Sequence, residues 1–198
     1  MKTKKIVFVL LCAVICLFTG CGKELVCKNG VAVINKSNVK LTFPEIWAVT
    51  EGDDIYGEMY NEMSDEYGSA EELKNAYENN GERLLLKICS PDGGMFALLS
   101  EINKGETTPR ELLEAVRVSS EDGLQAAGYS TDSKIEDTDW GGISGVMSSI
   151  KVYEDKDKAL LEEREFCFER GELIYSLKMH IYGGYENEAD EIKLSVNK

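Results

Sequence analysis

Glu172-Leu173-Ile174-Tyr175-Ser176-Leu177-Lys178-Met179-His180-Ile181 decides the fold class. Leu173, Tyr175, Leu177, Met179 and Ile181 alternate with more polar residues, the period of a strand with one face in a core. Arg170-Gly171 turns into this strand, and further strands are predicted at 159–169, 143–153 and 131–138. The connections between these four are too short for a crossover helix, so neighbours run antiparallel. Leu84–Ser90 and Met95–Asn103 flank Pro91-Asp92-Gly93-Gly94, and Val31–Ile34 and Val39–Phe43 flank Asn35-Lys36-Ser37-Asn38. Both arrangements are hairpin chemistry.

Two helices announce themselves by their caps. Ser69-x-x-Glu72 is a capping box, and Asn80-Gly81 ends that helix. In Thr108-Pro109-Arg110-Glu111, Thr108 caps, Pro109 takes the first helical position where its missing N–H costs nothing, and Glu111 closes the box. This helix is predicted to end at Ala127-Gly128, burying Leu113, Val116, Leu124 and Ala127. A last helix is predicted from near Asn187, burying Ala189, Ile192 and Val196. Strands do not alternate with helices, so the class is α+β: a central antiparallel sheet flanked by helices. Phe43, Trp47, Leu86, Leu113, Val116, Phe166, Phe168, Tyr175, Leu177 and Ile192 are the predicted core.

The first residues form a separate unit. Lys2, Lys4 and Lys5 make a positive head, Ile6 to Leu17 an apolar run, and Leu17-Phe18-Thr19-Gly20-Cys21 a cleavage box. The run is too short to span a bilayer and ends in small residues, as secretory signals do. Thr19-Gly20-Cys21 resembles the lipobox of bacterial lipoproteins, with Phe18 standing where leucine is usual. That resemblance implies removal of residues 1–20 and lipidation of Cys21, giving an extracytoplasmic protein held to the cell membrane by its acyl chains. Residues 21–30 then form a short lipidated tether, and 31–198 a single domain.

The chain has 22 basic and 36 acidic side chains, a formal charge of −14. Loss of residues 1–20 leaves 19 basic side chains, all 36 acids and a charge of −17. A surface this acidic repels nucleic-acid phosphates and anionic headgroups. The expected partners are therefore the membrane, through the acyl chains alone, and an envelope protein, with no nucleic acid.

Cys12 and Cys16 leave with the signal, so Cys27, Cys89 and Cys167 accompany the lipidated Cys21. Free buried thiols or a Cys89–Cys167 bridge both fit this count. Without a CxxC pair, no structural metal site is expected, and no cofactor.

Residues 48–68 are acidic and interrupted by Gly52, Gly57 and Gly68. Within them Tyr56, Met59, Tyr60, Met63 and Tyr67 fall on one face of a helix. Such a stripe either packs on its own domain or offers an adaptable partner surface, and the glycines lean towards the second.

The stretch Val39-Lys40-Leu41-Thr42-Phe43-Pro44-Glu45-Ile46-Trp47 resembles the strand, Phe-Pro, Trp opening of PsbP-like domains. The Leu84–Ile88 strand, the Thr108-capped helix, Gly141-Gly142-Ile143-Ser144-Gly145 and Glu188-Ala189-Asp190-Glu191-Ile192 leading to Ser195 follow in the same order. The resemblance covers residues 31–198. It implies an α/β/α sandwich around an antiparallel sheet, in a family that includes a nuclear-import Ran-binding protein and bacterial envelope lipoproteins. It also implies protein binding or assembly rather than catalysis, and transfers no catalytic residue.

The residues themselves give no catalytic set. Gly142-Ile143-Ser144-Gly145 lacks the second spacer of a nucleophile elbow and sits at a strand start. The lone His180 is expected opposite residue 161 and Cys167 opposite Ile174, which separates them by ~20 Å at about 3.3 Å per residue. A pairing of His180 with Cys89 stays open. Asp137-Thr138-Asp139-Trp140-Gly141-Gly142 begins like a calcium loop but has Ser148 where the closing glutamate belongs. Asp155-Lys156-Asp157-Lys158 reads as a solvated turn. The expectation is a non-catalytic binding or envelope-assembly module. The alternative is a solute-binding lipoprotein serving a transporter, although that class needs two lobes around a cleft.

Overall fold

Short alternating strands need a second layer to bury one face, and this chain supplies two kinds of layer. The computed structural model describes residues 25–62, 66–154 and 159–196. The elements in chain order are β1 (Leu25–Lys28), β2 (Val31–Ile34), β3 (Val39–Thr42), β4 (Ala48–Glu51), α1 (Asp54–Glu62), α2 (Ala70–Asn79), β5 (Glu82–Cys89) and β6 (Met95–Asn103). They continue with α3 (Pro109–Ala126), β7 (Ser130–Trp140), β8 (Ile143–Tyr153), β9 (Ala159–Arg170), β10 (Leu173–Tyr182), α4 (Glu186–Ala189) and β11 (Lys193–Val196).

Seven strands form an antiparallel sheet in the order β4-β5-β6-β10-β9-β8-β7. A second antiparallel sheet has the order β1-β2-β3-β11. The class is α+β, with helices against an antiparallel sheet. The alternation in β10 divides the molecule: Tyr175, Leu177, Met179 and Ile181 point into the main core against the small sheet, together with Phe166, Phe168, Ile34 and Leu41. Ile174, Ser176, Lys178 and His180 point to the opposite face. There α3 covers β7–β9 and packs Leu113 on Val146, Cys167 and Ile174. At the other end of that face α1 and α2 cover β4 and β5.

Both predicted N-caps form, but only one closes as a box. Thr108 and Glu111 exchange both bonds. Glu72 N–H donates to Ser69 Oγ at 3.1 Å, whereas the Glu72 carboxylate accepts the Gly68 N–H at 2.9 Å instead of that of Ser69. Nine of the ten predicted core residues are buried, and Val116 is half-buried. Leu124 is also half-buried, but Ala127 is exposed because the helix has turned its face outward by its last residue.

Three expectations change. Residues 25–28, placed in the tether, form β1 on the edge of the small sheet, joined to β2 by Asn29-Gly30 with both residues at positive φ. That backbone is the hairpin turn Asn-Gly favours. The expected terminal helix is the short α4 followed by β11, whose Leu194 pairs with Leu41. Ala189 and Ile192 are buried as predicted, whereas Val196 is 41% exposed. The turn after β9 is Gly171-Glu172, which sets Cys167 opposite Ser176 and His180 opposite Glu163, two residues from the predicted register. The leader, Cys21, Met63 and the predicted turn 155–158 lie outside the described residues.

Candidate functional site

The helices leave a strip of the large sheet open between α2 and α3. Its floor is polar because Ser176 and Lys178 of β10, with their strand neighbours, lie between the two cores that the helices cover. Glu82, Ser100, Ser176, Glu165 and Lys178 line it, with Tyr77 on one wall and Val116 on the other, around about 160 Å³. Ser176 Oγ donates to Glu165 Oε1 at 2.6 Å. Burial pushes the Glu82 carboxyl up from its ordinary range; Ser100 opposes this, the Glu165 charge adds to it and Lys178 opposes it. Burial lifts the Tyr77 phenol to about 12. The trough can thus hold a proton or accept N–H donors.

Farther along β10, the Lys178 amine is 3.4 Å from Glu163 Oε2, and His180 Nδ1 is 3.4 Å from Glu163 Oε1. The imidazole stacks on Phe96 with centroids 4.4 Å apart. Desolvation lowers the His180 pKa to about 4, against the pull of Glu163 and with help from Lys178. The imidazole is therefore neutral at pH 7. In the unfolded chain it takes a proton near pH 6.5, so stability falls as pH drops from about 6.5 towards 4. This loss is expected to reach about 2–3 kcal/mol and to be absent from His180→Asn. Urea unfolding of both proteins at pH 7 and pH 4 checks it; equal pH dependence would refute it.

The thiols are not arranged for nucleophilic work. Cys167 is fully buried beneath α3, and burial, then the Glu165 charge, push its thiol well above the ordinary value. Four residues along adjacent strands separate Cys167 from His180, about 13 Å at 3.3 Å per residue. Cys89 shares a row with Phe96 and His180, but Phe96 stands between them. Cys27, Cys89 and Cys167 are unbridged. Cys89 and Cys167 sit on strands three places apart in the sheet, so a bridge between them lies outside disulfide geometry.

A larger cleft of about 440 Å³ opens where β7–β9 run past the small sheet. Met147, Met179, Ala189 and Ile192 form its apolar lining, with Trp140 half-buried at one side. Its charged groups are already engaged: Arg164 with Glu162 at 2.7 Å and Asp190 at 3.4 Å, and the Lys193 amine with the Asp190 carbonyl. The Asp137–Gly142 segment runs along this edge as the end of β7 and the β7–β8 turn. Asp137 pairs with Arg110 at 2.8 Å, and Asp139 Oδ1 accepts Gly142 N–H at 2.9 Å.

The Tyr/Met stripe is the site reading that burial corrects. Tyr56 and Met59 are buried with Ile55, Leu73 and Leu84 in a second core, with Tyr60 and Tyr67 packed against it. Tyr56 Oη accepts the Leu84 N–H at 3.1 Å, and its ring meets Tyr77 edge-on at 5.8 Å. Tyr56, Met59, Tyr60 and Tyr67 close α1 and α2 onto the sheet, so these members of the stripe are spent inside the domain. The trough, by contrast, was not predicted: its side chains come from separate strands and meet only through register.

No family model matches this sequence, and the comparison with curated proteins gives no match. Among solved structures, the chain is similar to the solution structure of cyanobacterial PsbP (CyanoP) from Synechocystis sp. PCC 6803. The identity is 10% and the TM-score 0.48, over 86% of this chain and 88% of that one.

Proposed function

We propose that this chain is an extracytoplasmic bacterial lipoprotein, held to the cell membrane at Cys21, that serves as a non-catalytic binding or envelope-assembly module. The observation that carries the reading is the join between leader and domain. The cleavage box ends at Cys21, and the first strand begins at Leu25. Only residues 22–24 lie between the anchor and the first described strand, so the domain works close to the bilayer. The burial of Cys167 and its distance from His180 favour binding over nucleophilic chemistry. The PsbP-like reading goes with this function and rests on the motif order from Phe43-Pro44 to Ser195.

Cys21→Ser tests the anchor. The variant is expected to accumulate as the uncleaved precursor without acyl chains, whereas the natural chain is processed. A variant processed and partitioned like the natural chain would place the anchor elsewhere. A second reading, a solute-binding lipoprotein, draws on the 440 Å³ cleft, which is within the size range of small-molecule sites. Quenching or enhancement of Trp140 fluorescence by a panel of free amino acids would favour it.

A further inference from the structure

The outer face of the small sheet has a charge opposite to the rest of the chain. Strand register arranges its side chains in two rows: Val26, Val33, Lys40 and Ser195, then Lys28, Val31, Thr42 and Lys193. Three are lysines, three are valines and none is acidic, in a sequence with 36 acids. No helix packs over this face among the described residues. Val26 is 45% exposed, and Lys28 and Lys193 are exposed. Among the described residues, neither Lys28 nor Lys40 has a carboxylate at ion-pair distance, and the Lys193 amine engages a backbone carbonyl. Lys36 is also exposed, in the β2–β3 turn at the end nearest Leu25.

We propose that this face docks flat on an anionic lipid surface. The proposal rests on the anchor reading above and supplies what that reading lacks, the orientation of the domain. Leu25 opens the edge strand of this sheet, four residues after Cys21. Four extended residues reach at most about 14 Å, so a lipid on Cys21 holds this sheet at the headgroups. The net charge of −17 does not oppose docking, because a surface potential decays over about 8 Å at physiological salt. Packed sheets stand about 10 Å apart, so acids on the far layers are largely screened. Glu51 and Asp53 line a pocket beside Leu25 at the edge of β1 rather than lying on the face. Inside that distance the membrane meets Lys28, Lys40, Lys193 and the valine row, a basic and apolar pattern suited to an interface. Glu45 and Glu191 flank the face in turns at the end away from Leu25.

The test uses the mature lipidated protein on vesicles of phosphatidylcholine alone or with added phosphatidylglycerol, labelled by an amine-reactive reagent. Labelling of Lys28, Lys40 and Lys193 is expected to fall at least about fivefold on the anionic vesicles and to recover in high salt, as a screened contact does. Lys104 and Lys134 should label equally on both. Lys28→Gln/Lys40→Gln/Lys193→Gln should abolish the salt-sensitive difference at unchanged melting temperature, read as reactivity of Lys36. Equal labelling of the three lysines on both vesicles overturns the docking proposal, whatever the anchor does. Failure to float with neutral vesicles overturns the anchor alone, and retained flotation with anionic vesicles would then still support the face.

Discussion

Replacing Gly141 with alanine is expected to lower stability by more than about 3 kcal/mol, among the largest single effects in this molecule. Gly141 and Gly142 make the two-residue β7–β8 turn with φ of +64° and +82°. A side chain at such φ is strained by about 1–2 kcal/mol wherever it occurs. At Gly141 a Cβ would also collide with the backbone carbonyl of Leu194. That atom belongs to β11, which is fixed to β3 and buries Leu194. The collision is relieved only by lifting β11 off the core. Gly142→Ala provides the control, because nothing lies within 4 Å of its added Cβ. It should cost only the turn strain, about 1–2 kcal/mol. Urea unfolding of the two variants separates the terms, and equal losses would mean that the turn does not press on β11.

Truncating Tyr56 and Met59 together to alanine is expected to cost about 5 kcal/mol or more, enough to unfold a domain of ordinary stability. Tyr56 is 1% exposed and Met59 9%, and both close α1 onto α2 and β5. Tyr56→Phe removes less. It keeps the ring against Tyr77 but leaves the Leu84 N–H without its acceptor, a loss of about 1–3 kcal/mol. Thermal melts of the three proteins should therefore rank natural chain, Tyr56→Phe, then the double variant. An unchanged midpoint for the double variant would return the stripe to the surface.

The parts of the fold legible in the sequence are those specified locally. The alternation in 173–181 and the tight turns on its N-terminal side define four neighbouring strands without outside information. Thr108-Pro109 and Ser69 fix helix starts because a cap is satisfied within its own first turn. The C-terminus shows the limit. Ala189, Ile192 and Val196 fall at helical spacing, but Lys193–Val196 pairs with β3, some 150 residues earlier, and that pairing overrides local period. β1 is four residues long, too short for a periodic signal, although Asn29-Gly30 marks its turn.

The candidate sites were less legible for the same reason. Glu82, Ser100, Ser176 and Glu165 come from β5, β6, β10 and β9, and only the register makes them neighbours. A two-residue error after Arg170 shifts every pairing along β10, which is why Glu163 was not foreseen beside His180. The basic face was hidden by the overall charge. Lys28, Lys40 and Lys193 are far apart in sequence and share a surface only because β11 returns to the edge of β3.

The central claim, that this domain works as a lipid-anchored module at the membrane, is tested most directly by the mass of the protein extracted from cell membranes. The account predicts a chain that begins at Cys21, lacks residues 1–20 and carries a diacylglycerol on the Cys21 sulfur. A chain that still begins at Met1, or one cleaved elsewhere without acyl mass, would contradict it.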